Sequence, residues 1–278
     1  MNKYITRGTI VLIRGSGEQA SGVGWALAKA GFRVVMTELE HPQMVRWPVC
    51  FGTAVVKGCW QVEDLIAHRV HTPSQCEEAW GEGKIPVLVD PELKCLPELS
   101  PTVLVDAIMA KRNTGTKMGM APLTIALGPG FAAAKDVEVV VETNRGHNLG
   151  RLIYSGLAEP NTGIPGEVGG VTSERVVYSP ISGVFSARKQ IGEIVSTGDI
   201  LGEIDGGDQP ALVIANVSGV LRGLLISGTH IDQNVKVGDI DPRSQKDYCF
   251  TISEKARTLG TAVLLAILEW NSSHSEHL

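Results

Sequence analysis

The first forty residues carry the clearest pattern of hydrophobic and polar positions. Thr9–Arg14 is a nearly continuous apolar run, which is typical of a buried parallel strand. A glycine-rich segment follows, and Val23–Ala30 then has a helical pattern that ends at Gly31, a suitable C-cap. Phe32–Met36 is a second buried apolar run. The pattern therefore predicts a strand, a glycine turn, a helix and a second strand.

The alternation of strands and helices continues through the first half of the chain. Thr53–Val56 is predicted to form a short strand, and Val62–His71 a helix. Further predicted strands are Ile85–Val89, Thr102–Val105, Leu123–Leu127 and Val137–Val141. This alternation favours a parallel sheet covered by helices on both faces, whose ligands bind beyond the carboxyl ends of the strands. Acidic residues expected at such ends are Glu38, Asp90 and Asp106.

From about residue 176 the pattern changes to short strands and tight turns with an internal repeat. The tripeptide Ser-Gly-Val begins at residue 182 and again at residue 218, and a further glycine follows nine residues after each Gly. Each copy later reaches a Gly-Asp pair, at 198–199 and at 238–239. The repeat predicts a duplicated, closed β sandwich. The chain then ends in a helix with Ser253 as N-cap and one apolar face, formed by Ile252, Ala256, Leu259, Val263 and Ile267.

Composition narrows the class of protein. The net charge is −5, and the aromatic residues are not interleaved with Arg or Lys, which argues against a nucleic-acid partner. The apolar run Ala262–Leu268 is far shorter than the roughly 20 residues that cross a bilayer, and the N-terminus shows no cleavage-site pattern. Five cysteines without CxxC spacing predict reduced thiols rather than a disulfide framework or a zinc site. We therefore expect a cytoplasmic protein without a membrane partner.

Of the 32 glycines, 28 fall into three groups: six in residues 1–31, eleven between 115 and 170, and eleven after residue 182. The first group contains G-x-G-x-x-x-x-G-x-G rather than the standard G-x-G-x-x-G. Gly15 and Gly17 suit the approach of a pyrophosphate, and Gly22 or Gly24 suits close packing. Glu38 lies where a ribose-binding carboxylate is expected. A nicotinamide dinucleotide, another phosphate-bearing ligand and no ligand all stay open.

Two further segments combine polar side chains with glycine-rich loops. Asp106 is followed by Lys111, Arg112 and Asn113, a cluster that suits a phosphorylated or pterin-like ligand, or alternatively a solvated helix end. The segment Glu142–Arg151 contains three further candidates. They are Asn144 and Arg145 as ligand-binding residues and His147 as an acid–base residue, with a plain surface histidine as the alternative.

The segment KVGDIDPR places Asp239 and Asp241 on the same side of an extended chain. Metal binding and pairing with Arg243 are both open, and a structural turn with internal salt bridges is the preferred interpretation. Cys249 follows six residues after Arg243. A thiol near acids and bases is a candidate for sulfur or selenium chemistry, and core packing is the alternative.

These segments, taken in order, resemble the selenium-dependent molybdenum hydroxylase system proteins, relatives of the accessory factors of xanthine dehydrogenase. The stretches that carry the resemblance include RGSGEQASGVGWALAKAGFRVVMTE, VDAIMAKRN, ALGPGF, ETNRGHNLGR, TGIPG, KVGDIDPR and CFTISEKAR. The resemblance implies a cytosolic Rossmann-fold protein that binds molybdenum cofactor and assists the insertion of sulfur or selenium into a molybdenum hydroxylase. An NAD(P)-dependent oxidoreductase and a non-catalytic interaction module are the alternatives, and whether the chain is an enzyme is left open.

The segment 176–242 also resembles the biotinyl/lipoyl-like barrel-sandwich folds. Carriers of that type bear their cofactor on a lysine between the two halves, and no lysine lies between Gly206 and Ser218, so a swinging-arm carrier is not expected. The predicted fold is α/β, with a Rossmann-like parallel sheet followed by a small β barrel-sandwich hybrid module and a C-terminal helix. The predicted domains are 1–175, with the cofactor site, 176–242, with the β module, and 243–278, with the helix packing back.

Overall fold

The computed structural model of the chain describes residues 6, 8–207 and 209–275. These residues divide into two compact units. Unit 1 takes the described residues of Met1–Pro42, Cys50–Asn161 and Ile252–Leu278. Unit 2 takes Gln43–Val49 and the described residues of Thr162–Thr251. Each unit has its own sheets and its own apolar core.

Unit 1 contains eleven strands and five helices among its described residues. The strands are β1 (Ile10–Arg14), β2 (Arg33–Glu38), β3 (Cys59–Val62), β4 (Leu65–Val70), β5 (Ile85–Val89), β6 (Val103–Asp106), β7 (Leu123–Leu127), β8 (Ala132–Ala133), β9 (Val139–Val141), β10 (Leu152–Ile153) and β11 (Gly156–Leu157). The helices are α1 (Glu18–Lys29), α2 (Thr53–Lys57), α3 (Cys76–Gly81), α4 (Leu96–Leu99) and α5 (Glu254–Ser275).

Nine of these strands form one sheet in the order β10-β9-β7-β6-β1-β2-β5-β4-β3. The seven central strands are parallel, whereas β10 pairs antiparallel to β9 and β3 antiparallel to β4. β1 pairs with β2 on one side and with β6 on the other. The order therefore reverses beside β1, where open α/β sheets form a crevice at their carboxyl ends.

Alternate residues of the central strands face opposite sides of the sheet, as strand geometry requires. Leu12 and Val35 belong to one apolar cluster, which also includes Ala79 of α3 and Leu99 of α4. On the other side α1 and α5 pack closely against each other. The face of α5 predicted from its apolar spacing is buried, and the N–H of Ala256 donates to the Ser253 hydroxyl at 3.4 Å.

Two local predictions are wrong. The predicted strand Thr53–Val56 is helix α2, and the predicted helix Val62–His71 is most of the hairpin β3–β4. The hairpin turns at Glu63, whose φ of 51° is left-handed, a conformation that ends regular helix. β4 then pairs along its length with β5. This pairing decides the structure of a segment whose apolar spacing suits a helix equally well.

Unit 2 contains eight strands: β12 (Val176–Tyr178), β13 (Gly183–Ala187), β14 (Ile194–Val195), β15 (Ile200–Asp205), β16 (Ala211–Ile214), β17 (Gly219–Leu224), β18 (His230–Ile231) and β19 (Lys236–Asp241). They form two four-stranded antiparallel sheets, β12-β19-β17-β14 and β16-β15-β13-β18. The two sequence copies make equivalent contacts: a Cβ at Gly183 would lie 2.1 Å from the Asp205 carbonyl oxygen, and one at Gly219 2.4 Å from that of Asp241.

The predicted fold class is corrected by this architecture. The fold is mixed α/β, with a large, mostly parallel sheet and separate antiparallel sheets. A Rossmann-like sheet agrees with it only in part, because both edges are antiparallel and β6 runs to β7 without an intervening helix. Unit 2 is two antiparallel sheets, and a barrel-sandwich hybrid is not shown.

Candidate functional site

The candidate site lies in unit 1, at the carboxyl ends of β1, β6, β7 and β9. The chain leaves β1 through the glycine turn into α1, and leaves β6 through residues 107–122. It leaves β7 and β9 through two further glycine-rich loops, 128–131 and 142–151. The second residue of α5, Lys255, completes the set because its charge interacts with groups on these loops.

Arg14 and Asp106 end β1 and β6 and pair with each other. Arg14 Nη1 lies 3.4 Å from Asp106 Oδ2, and both residues are buried. The same guanidinium donates to the Thr114 and Thr116 hydroxyls at 3.1 and 3.0 Å and to the carbonyl oxygen of Pro91 at 3.1 Å. The Thr116 hydroxyl donates to Asp106 at 2.6 Å. Asp106, predicted to bind a cofactor, therefore holds loop 107–122 against β1.

The glycine turn between β1 and α1 has a positive φ and a close backbone approach, as its glycines predict. Gly15 has a φ of 97°, and a Cβ there would lie 3.1 Å from the backbone nitrogen of Ile108. Gly17 is the N-cap of α1, which has no side-chain cap. Glu38, predicted to bind a ribose, accepts hydrogen bonds from the Ser16 N–H at 3.1 Å and the Ser16 hydroxyl at 2.7 Å. One carboxylate oxygen of Glu38 therefore stabilises the turn itself.

Gly22 lies in α1, where it packs against α5. A Cβ on Gly22 would lie 2.5 Å from the carbonyl oxygen of Ala256 and 2.6 Å from its Cβ. Close packing is the role expected of this glycine, although the partner is a helix from the C-terminus rather than a strand. The contact brings the first turn of α5, and with it Lys255, beside the beginning of α1.

Glycines also allow close approach between the neighbouring loops. A Cβ on Gly130 would lie 2.6 Å from the backbone nitrogen of Arg112, and one on Gly128 would lie 2.5 Å from the Thr143 hydroxyl. A Cβ on Gly150 would lie 2.8 Å from Thr258 Cγ2 of α5. All three glycines have positive φ values, which residues with a Cβ rarely adopt. The glycines between 115 and 170 thus include three that bring the loops of one edge together.

Lys111, Arg112 and Lys255 are cations of this edge without an acidic partner among the described residues. Among the described residues, their side chains make neither a hydrogen bond nor a salt bridge. Burial lowers the pKa of Lys255, and the positive charges of Arg145 and Lys111 lower it further. Glu18 and Glu142 act in the opposite direction without restoring the ordinary value. Burial is therefore the main cause of the lowered pKa of Lys255, and the charges around the amine act in both directions.

Most of the remaining predicted site residues make structural contacts. Asn113 donates to the carbonyl oxygen of Thr116 at 2.8 Å and accepts from the N–H of Gly115. Asn144 donates to Glu159 at 2.6 Å. Arg145 pairs with Glu254 of α5. His147 is exposed and makes no hydrogen bond among the residues that the structure describes. Its acid–base role stays a prediction.

Cys249 belongs to unit 2, whereas the other predicted site residues belong to unit 1. It is fully buried, and its thiol lies 3.8 Å from the carbonyl oxygen of Leu221. Burial raises the pKa of the Cys249 thiol, although Arg46 and Arg222 act in the opposite direction. A buried thiol of this kind is protonated near pH 7 and is a poor nucleophile. Its proposed part in chalcogen chemistry stays untested.

The acidic residues of KVGDIDPR form salt bridges, and two of these lie within the segment, Asp241 with Arg243 and Asp239 with Lys236, as its preferred interpretation expects. Asp239 lies 2.6 Å from Arg175, and Asp241 lies 2.6 Å from Arg243 and 3.5 Å from Arg222. No group of three or more His, Cys, Asp or Glu side chains with metal-binding geometry occurs in the described part of the chain. Nor, over the same residues, is any helix long and apolar enough to span a membrane.

Sequence reasoning missed two residues of this edge. Lys255 was not singled out, because the apolar spacing of α5 draws attention to the neighbouring residues Ile252, Ala256 and Leu259. Glu142 was seen only as part of a polar segment. It is buried, and it accepts hydrogen bonds from the N–H groups of Thr143, Asn144 and Glu159, each at 2.7 Å. Glu142 therefore shapes the loop that carries Arg145.

Comparison with known proteins returns few characterised relatives. No family model matches the chain. The uncharacterized protein YqeB of Escherichia coli (strain K12) is 44% identical over 259 residues, which cover 93% of this chain and 47% of that protein. The chain thus spans about half the length of the curated relative that it matches. Similarity at this coverage does not assign the whole protein's activity.

The solved structures that are similar to this chain have low sequence identity and low TM-scores. The apo structure of the ectoine utilization protein EutE (DoeB) from Ruegeria pomeroyi is 10% identical, with 84% of this chain and 86% of that chain covered and a TM-score of 0.26. An aspartoacylase family protein from Mesorhizobium loti MAFF303099 is 13% identical, with 84% and 85% covered and a TM-score of 0.28. Scores of this size carry no functional argument.

These findings correct the predicted family. The relative found is an uncharacterized protein, and the structures are of the succinylglutamate desuccinylase and aspartoacylase kind, not selenium-dependent molybdenum hydroxylase system proteins. The predicted membership is therefore wrong. The maturation role, the alternative of an NAD(P)-dependent oxidoreductase, and the molybdenum and selenium chemistry inferred from the resemblance are corrected with it.

Proposed function

We propose that unit 1 binds a small phosphate-bearing ligand at the carboxyl ends of β1, β6, β7 and β9. The observation that carries this proposal is the group of three cations, Lys111, Arg112 and Lys255, without an acidic partner among the described residues. The Lys255 amine is partly buried, and burial and nearby positive charge both lower its pKa. A bound anion would remove the repulsion between these charges.

The nearby backbone supports a phosphate group in particular. The N-terminus of α1 follows a glycine turn and has no side-chain cap, and such helix ends favour anions through their N–H groups and dipole. Lys is a common phosphate ligand, and Arg binds phosphate through two parallel N–H groups. The tight approach of Gly15 to Ile108 and of Gly130 to Arg112 fixes these loops relative to one another.

The test is titration of the whole protein with inorganic phosphate, pyrophosphate and ADP. Binding is measured by calorimetry and by the shift of the thermal unfolding temperature. We expect at least one probe to bind and to raise the unfolding temperature in proportion to its concentration, because a ligand that binds only the folded state stabilises it. Lys255→Met is expected to weaken binding about 10- to 100-fold, which corresponds to the loss of one charged hydrogen bond of roughly 1.5–3 kcal/mol.

Lys57 of α2 provides a matched control, since it is an exposed lysine of the same unit. Lys57→Met removes the same charge and should leave binding unchanged. Lys255→Met should also stabilise the protein without ligand, because a lysine whose folded pKa is lowered opposes folding while it is charged. That gain should shrink as pH rises through the folded pKa of Lys255. Absence of binding by every probe at millimolar concentration, or equal affinity in both variants, refutes the proposal.

A further inference from the structure

The hairpin β3–β4 carries a thiol and an imidazole side by side at the edge of the large sheet. Cys59 begins β3, and His68 is its direct cross-strand partner on β4. The distance from Cys59 Sγ to His68 Nδ1 is 3.0 Å, within hydrogen-bonding reach. Cys59 is exposed, and β3 is the last strand of the sheet, so reagents can approach the sulfur from solvent.

The other four cysteines have the opposite environment. Cys50, Cys76, Cys95 and Cys249 are all buried. Burial, followed by the negative charge of Glu77, raises the pKa of Cys76 to about 12. Burial also raises the pKa of Cys95, and its contact with Asp90 adds to that effect. Cys59 is therefore the one exposed cysteine of the chain, and it is the one that lies beside a base.

From this geometry we infer that Cys59 and His68 form a nucleophilic pair that reacts with low-molecular-mass disulfides. His68 Nδ1 accepts the thiol proton as the Cys59 sulfur attacks one sulfur of the disulfide. The new bond joins Cys59 to that sulfur, and the disulfide bond of the reagent breaks. The second sulfur leaves as a thiolate, which takes up the proton from His68. The product is a mixed disulfide that an added thiol can reverse.

The surroundings of the pair favour this reaction. The residue before Cys59, Gly58, has open space on the side where a Cβ would lie. Lys84 and Glu82 are the charged groups beside the pair, and they form a salt bridge with each other at 2.5 Å. Electrostatic interaction with Cys59 contributes to the raised pKa of Lys84, after the contact with Glu82. A lysine near the sulfur stabilises negative charge on it.

The experiment measures thiol reactivity of the native chain with 5,5′-dithiobis(2-nitrobenzoate) at pH 7. We expect one fast thiol per chain and four that react only after denaturation. Cys59→Ser should abolish the fast phase, and oxidised glutathione should form one adduct, located at Cys59 by mass spectrometry. The fast rate should be about tenfold above that of a peptide with the sequence of residues 57–62, because an unassisted thiol of pKa near 8.5 is only a few per cent ionised at pH 7.

The contribution of the imidazole is separated by a pair of histidine variants. His68→Asn removes the proton acceptor and should lower the fast rate about tenfold at pH 7. His71→Asn is the control, because His71 is exposed just beyond β4 and its hydrogen bond to Gln75 is donated by its backbone N–H, which the substitution keeps. A variant is folded if its four buried thiols react with the reagent only after denaturation.

Three results would overturn the inference: a fast thiol that survives in Cys59→Ser, equal rates in the two histidine variants, or a wild-type rate no higher than that of the peptide. The peptide comparison needs no variant and decides the matter even if His68→Asn does not fold. The pair shares no residue with the proposed phosphate site. Either proposal can therefore fail while the other holds.

Discussion

Replacing Gly22 by alanine should destabilise the protein, although alanine is the better helix former. In α1 an alanine side chain gains about 1 kcal/mol over glycine from helix propensity. At Gly22, however, the added Cβ would lie 2.5 Å from the carbonyl oxygen of Ala256 and 2.6 Å from its Cβ, well inside the contact distance of 3.5–4.0 Å that carbon atoms prefer. Neither of these atoms can rotate away, so α1 and α5 must separate.

Gly24 provides the matched control two residues further along the same helix. A Cβ there would lie 3.3 Å from Met36 Sδ and 3.6 Å from Ile13 Cδ1, both of which are ends of side chains that can move. Overpacking costs about 1–3 kcal/mol where the neighbours cannot move, and methionine adapts at much lower cost. We therefore expect Gly22→Ala to lose up to about 2 kcal/mol net and Gly24→Ala to be neutral or stabilising by up to about 1 kcal/mol.

The free energy of unfolding of both variants is measured by urea denaturation, with tryptophan fluorescence and circular dichroism as the two probes. The same displacement of the first turn of α5 should move Lys255, so Gly22→Ala is also expected to weaken binding of the phosphate probe, whereas Gly24→Ala is not. The reasoning is refuted if both alanines have the same effect on the midpoint of unfolding. It is equally refuted if Gly22→Ala raises that midpoint.

Two further predictions concern buried charges. Arg14→Met should cost about 3–5 kcal/mol of stability because it leaves Asp106 buried without its cation, and the double variant Arg14→Met, Asp106→Leu should cost less than the single one in the same denaturation assay. Burial raises the pKa of Asp241, but hydrogen bonds from Arg243 and the charge of Arg222 lower it more. The stability that this lowered pKa contributes is present above about pH 4 and is lost as pH falls through the folded pKa. Asp241→Asn should therefore cost about 3 kcal/mol at pH 7 and progressively less toward pH 3, as measured by urea midpoints across that range.

The sequence correctly predicted elements in which the local hydrophobic pattern and the pairing with distant strands favour the same secondary structure. Thr9–Arg14 has an apolar run that suits the centre of a parallel sheet, and β1 indeed lies there. For Val62–His71 the two disagree, since its apolar residues occur at helical spacing while its backbone pairs with β5 and β3. Pairing with a strand distant in sequence leaves no signal in a single chain. The helix prediction therefore failed where tertiary pairing outweighed local preference.

The same limit explains why the site was only partly predicted. The glycine-rich loops that leave the parallel strands drew attention to this edge of the sheet, but Lys255 lies more than a hundred residues beyond them in the chain. Its position depends on the fit of Ala256 against Gly22, a contact between helices that sequence periodicity does not reveal. Arg14 was predicted only as the last residue of an apolar strand, which concealed its buried ion pair.

The acidic residues at the strand ends show why cations, rather than carboxylates, define the proposed ligand. Asp90 accepts hydrogen bonds from the N–H groups of Lys94 and Cys95, at 2.9 and 2.8 Å, and Glu38 and Glu142 are likewise bonded to nearby backbone N–H groups. A carboxylate that begins a loop finds such donors in the chain that follows it. An ammonium or guanidinium group needs acceptors, and loop backbones offer them only where a carbonyl turns inward. The acids of this edge are therefore satisfied within the fold. Positive charge is what its surface offers to a ligand, and the ligand that fits must carry negative charge.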